Sequence, residues 1–81
     1  MKRLTTTTTQ KYNMIGPKVR QFRAERRLSQ QELSNRLETE AVYICRGSIS
    51  SIEDGSRTVT DLELYGLSKI LHKPIESFFE D

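Results

Sequence analysis

The chain holds one histidine, His72, and one cysteine, Cys45. A general acid or base needs a partner that tunes it, and His72 sits beside Lys73 with no carboxylate pair, glycine-rich phosphate loop or metal-ligand spacing around it. It reads as a helix terminator, and the chain is not expected to be an enzyme or to hold a metal or cofactor. Cys45 stands where a helix is expected to begin, the setting that makes a thiol reactive. A small capping residue is the simpler reading, and a single cysteine rules out an internal disulfide. A reducing cytoplasm is therefore the expected compartment. No apolar run resembles a signal peptide or a membrane span.

What remains is non-covalent binding, for which charge is the first guide. The formal net charge is only +2. Residues 1–27, however, hold eight Lys or Arg against Glu25 alone, and residues 28–81 hold five against ten Asp or Glu. A basic end suits a polyanionic partner, although a charged stretch is as often just a solvated surface.

The elements that must position these side chains follow from spacing. With 81 residues, 35% of them hydrophobic and 30% charged, the chain forms one domain with one core. Residues 1–13, with five consecutive threonines, offer too little apolar surface to order and are expected to be a flexible N-terminal arm; residues 14–81 form the domain. A basic arm can follow DNA, yet a tail without a role is the simpler reading. Ile15, Val19 and Phe22 recur at helical spacing, with Pro17 in a first turn and Arg26–Arg27 in a last one.

Ser29 and Glu32 form a capping box that opens a second helix carrying Leu33 and Leu37. The same pattern at Ser50–Glu53 is rejected as a cap, because Ile49 and Ile52 run across it at helical spacing. A third helix is expected from Arg46 to Asp54, stopped by Gly55. Thr60 and Glu63 cap a fourth with Leu64, Leu67 and Leu71 in one stripe, closed by His72 and Lys73. Pro74 is expected to start a brief fifth helix with Ile75, Phe78 and Phe79 turned inward. The predicted fold is all-α: a compact bundle of about five short helices that contains a helix-turn-helix.

The order of the pieces adds a further signal: Arg23, then SQQELSNRL, then ISSIEDG, then VTDLELYGLSKIL. From Ile15 to Phe79 the chain resembles the lambda-repressor-like, Cro-type (XRE family) helix-turn-helix domains. The resemblance implies sequence-specific binding of double-stranded DNA by a transcriptional regulator, expected to be a repressor, with the third helix in the major groove. Carried over, Ser29 and Gln30 meet phosphates or the groove edge. Arg46, Gly47 and Ser48 lead the recognition helix, and Ser50 and Ser51 follow on its exposed side. Arg46 is the strongest base reader, since its planar fork matches O6 and N7 of guanine, and Arg57 falls near a phosphate. The resemblance also implies a structural ion pair between Arg23 and Glu53.

Two features depart from the family pattern. The connection Glu38–Ile44 is longer than its usual tight turn, and Gly47 lacks a side chain where bases are commonly read. A homodimer is a further expectation, with Phe78 or Phe79 available for an interface. The alternative reading is an antitoxin or protein-interaction module that keeps the fold.

Overall fold

A computed structural model describes residues 11–80, which form four α-helices and a terminal 3-10 turn, with no strand among them. The helices are α1 (Gly16–Glu25), α2 (Gln30–Glu38), α3 (Arg46–Asp54) and α4 (Asp61–Leu71), followed by the 3-10 turn Ile75–Phe79. Among these residues, no helix is long and apolar enough to cross a membrane.

Each helix ends for a local reason. Ser29 and Thr60 both form complete capping boxes, in which the hydroxyl accepts from the N3 amide and the N3 glutamate accepts from the cap amide. Gly55, at φ 83°, and His72, at φ 58°, close α3 and α4 in the left-handed region. At the end of α1 an arginine takes that role: Arg27 has φ 57°, the Leu28 amide donates to the Arg23 carbonyl at 3.1 Å, and the Leu28 side chain is buried.

One core joins all the elements. Val19 and Phe22 of α1, Leu33 and Leu37 of α2, Ile49 and Ile52 of α3, Leu67 and Leu71 of α4, and Phe78 are buried together. The Phe78 ring meets Phe22 edge-on at 5.1 Å.

Three regions add to or correct the expectations. The connection after α2, expected only to be longer than the family's turn, packs onto the core: Val42 and Ile44 are buried, Tyr43 between them points outward, and the Ser34 hydroxyl donates to the Ile44 carbonyl at 2.6 Å. This in-out alternation is that of an extended strand lying on a core. The last element is a 3-10 turn, and only Phe78 turns fully inward; Ile75 and Phe79 are exposed. At three residues per turn, neighbours point about 120° apart, so Phe78 and Phe79 cannot share a buried face.

The third concerns the N-terminal arm. Residues 1–10, with the threonine run, lie outside the described residues, but Lys11–Asn13 are fastened to the domain. The Asn13 side-chain oxygen accepts from the Ile15 and Gly16 amides at 2.9 and 2.8 Å, which caps α1.

Two helices approach closely enough to require glycine. A Cβ on Gly16 would strike the Ile52 carbonyl oxygen and lie 2.7 Å from that of Glu53, both backbone atoms of α3. A Cβ on Gly66 would meet Val42 at 2.9 Å, a side chain that can adjust. Gly16→Ala is therefore expected to destabilise by about 1–3 kcal/mol, the usual cost of overpacking, and urea unfolding of the two proteins checks it.

Candidate nucleic-acid interface

Helix α3 turns one side inward and one outward. Ile49 and Ile52 are fully buried, and between α3 and the first two helices lies Glu53, whose side chain has no solvent exposure. Its carboxylate accepts from three directions. Arg23 of α1 donates through Nε to Oε2 at 2.6 Å and through Nη2 to Oε1 at 3.0 Å. Gln30 of α2 donates to Oε1 at 3.0 Å, and Arg20 adds a longer contact at 3.5 Å. Arg23 also donates to the Leu28 carbonyl at 2.8 Å, so one guanidinium ties the α1–α2 turn to α3.

The outward side carries Arg46, Gly47 and Ser50, all exposed, with Ser48 and Ser51 half-buried beside them. A Cβ built on Gly47 would meet nothing within 4 Å, so the first turn of α3 leaves open space above its backbone. No acidic residue stands in that turn, and the exposed Asp54 lies at the far end of the helix. Cys45 is the N-cap residue and is exposed; the Ser48 hydroxyl, hydrogen-bonded to Sγ at 3.4 Å, pulls the thiol below its ordinary value, helped by backbone amides at the helix start.

The other candidates are engaged elsewhere. The Ser29 hydroxyl accepts its cap bond from the Glu32 amide at 3.0 Å and keeps its own O–H as a donor. The side-chain amide of Gln30 donates inward to Glu53 at 3.0 Å. Arg57 forms a two-bond pair with Glu63, at 3.1 and 3.0 Å, and donates to the Thr58 carbonyl at 3.1 Å. Glu63 is also the capping glutamate of α4. Arg57 thus anchors the α3–α4 connection, because a carboxylate six residues on matches its planar fork.

No family model and no curated protein matches the chain.

The basic N-terminal third is likewise dispersed. Arg20 and Arg23 serve Glu53, Lys11 donates to the Asp54 carbonyl, and Lys18 lies over the Phe22 ring. Arg26 and Arg27 are exposed at the α1–α2 turn, and Lys2 and Arg3 lie outside the described residues. Sequence reasoning missed Asn13, whose amide donates to the Ile52 and Arg57 carbonyls at 3.1 and 2.9 Å. The available signal was an asparagine three residues before a Gly-Pro helix start.

Acid should act through the enclosed carboxylates. Burial pushes the Glu53 carboxyl upward, but the hydrogen bonds from Arg23 and Gln30 outweigh it and hold it below the usual range. Arg57 lowers Glu63 in the same direction. The unfolded carboxyls take up protons near pH ~4.3 and the folded ones only at lower pH. The stabilisation is thus complete above that value and is lost as pH falls through the folded values. Urea midpoints measured down to acid pH are expected to show this loss, and Glu53→Gln, already weaker at neutral pH, should show a shallower one.

Proposed function

We propose that this chain is a lambda-repressor-like helix-turn-helix domain that binds double-stranded DNA sequence-specifically, as a transcriptional repressor in the cytoplasm. The observation that carries this reading is the outward face of α3: one arginine at its leading end, followed by glycine and serines, with space at Gly47 that no described residue fills. A major groove about 12 Å wide admits a helix, and small side chains allow the backbone to come close to base edges. Arg46 reads a guanine by two hydrogen bonds, and Ser48, Ser50 and Ser51 contact neighbouring edges or phosphates. Exposed Arg26 and Arg27 lie at the entrance to α2 and supply further phosphate contacts.

A pair of domains reads two half-sites. Phe79, 47% exposed, borders an open cleft of about 460 Å³ with Tyr12, Met14, Val59 and Leu64, and this apolar surface suits a homodimer. In solution, Phe79→Ser is expected to shift the molecular mass measured by light scattering from dimer toward monomer. The second reading, an antitoxin or other interaction module, draws on other exposed apolar side chains: Tyr43, 75% exposed, and Leu62 and Tyr65 of α4.

The test is binding to duplexes selected from a random pool, across a range of salt. Affinity for the preferred duplex should fall steeply with salt, as phosphate contacts require. Arg46→Ala should cost about 1–3 kcal/mol on that duplex and relax the requirement at one base position. Gly47→Ala should fold at least as well as the parent, since its methyl has room and alanine favours a helix, yet bind more weakly because the methyl intrudes on the close approach. Equal, weak binding to all duplexes contradicts sequence reading, and absence of binding favours the interaction module.

A further inference from the structure

The geometry points to the segment Lys11–Asn13 as a clamp on the C-terminal end of α3, with Asn13 as a positioning residue for the face that α3 offers to DNA; this rests on the function proposed above. The last carbonyls of a helix lack intrahelical partners. Here the strap donates to two of the last carbonyls and to that of the cap residue: Asn13 to Ile52 at 3.1 Å, where the Gly55 amide also donates at 3.1 Å, the Lys11 ammonium to Asp54 at 2.6 Å, and the Tyr12 amide to Gly55 at 2.8 Å. Asn13 also donates to the Arg57 carbonyl just beyond the helix. The Lys11 stem covers Gly55 so closely that a Cβ there would lie 2.6 Å from its Cδ.

Asn13 works in both directions at once. Its oxygen starts α1 while its nitrogen holds the end of α3, so the two helix ends, positive and negative in their dipoles, are joined by one side chain. A nine-residue helix is only marginally stable alone and takes its orientation from what holds it. At roughly 1.5 Å per residue α3 is about 13 Å long, so a tilt of about 10° at the clamped end moves Arg46 by about 2 Å. Such a displacement is enough to break a hydrogen bond to a base. Residues that precede the first helix thereby set the aim of the third.

The full chain carrying Asn13→Asp separates the two roles. An ionised aspartate still accepts from the Ile15 and Gly16 amides and caps α1, but it has no N–H for the Ile52 and Arg57 carbonyls. Hydrogen exchange at the Gly55 and Ser56 amides, which close α3, should quicken by about tenfold or more while the α4 amides around Leu67 stay within about twofold, as a local opening requires. Discrimination between the preferred and unrelated duplexes should fall by a similar factor. Lys11→Ala leaves Asn13 in place and should shift the same amides in the same direction, by less.

Unchanged exchange at Gly55 and Ser56, or equal quickening across α4, overturns the clamp. Quickened exchange with discrimination intact overturns the positioning role. If the parent discriminates among no duplexes, the DNA reading fails, and exchange alone still decides whether the clamp exists.

Discussion

Glu53 is a carboxylate with no access to water, and the arrangement of the first three helices depends on its being satisfied. An enclosed charge without partners costs several kcal/mol, so a packing in which Arg23, Arg20 and Gln30 failed to converge on it would be strongly disfavoured. Apolar contact is non-directional, so the hydrophobic side of α3 alone specifies its orientation less sharply. The carboxylate is directional: its bonds have fixed lengths and come from two other helices. Ile49 and Ile52 thus provide much of the burial, whereas Glu53 selects one orientation among those that burial would allow.

The remaining contacts around α3 reinforce that choice from other sides. Gly16 lets the start of α1 come against the carbonyls of Ile52 and Glu53, and Asn13 closes the junction. Beyond Gly55, Arg57 and Glu63 tie the connection to the cap of α4. On the side of α2, Val42 and Ile44 fill the space that a shorter turn would leave, and Glu40 meets Lys69 of α4 at 3.0 Å. The outcome is a helix held along its inner face and at its C-terminal end, with its leading turn open to a partner.

Much of the helix pattern was legible in the sequence. Two capping boxes, Gly55, His72 and the leucine spacing each express a local rule, and the start of α2 and the boundaries of α3 and α4 fall where those rules put them. Tertiary contacts were less accessible. Nothing local tells an arginine that ends at a phosphate from one that ends at Glu63, or a glutamine that faces solvent from one that faces Glu53, because both outcomes depend on residues 6 and 23 positions away. The buried strand-like run at Val42 and Ile44 was obscured by its length of three alternating residues, too short for a period to emerge. Asn13 was hidden for a different reason: a polar segment was expected to be mobile, and its value lies in hydrogen bonds to carbonyls about forty residues away. The face of α3 needed only the helix boundaries and Ile49 and Ile52, so Arg46, Gly47 and Ser50 could be placed outward from sequence, whereas Ser51, expected beside Ser50 on the exposed side, is half-buried.

The central claim is that the open face of α3, held from behind by Glu53, is the surface that meets DNA. Backbone amide shifts recorded while a selected duplex is added test it most directly. Changes should concentrate at Arg46, Gly47, Ser48 and Ser50 and at the start of α2, and leave the outer surface of α4 unaffected. Changes centred on Tyr43, Leu62 and Tyr65, with α3 silent, would contradict it.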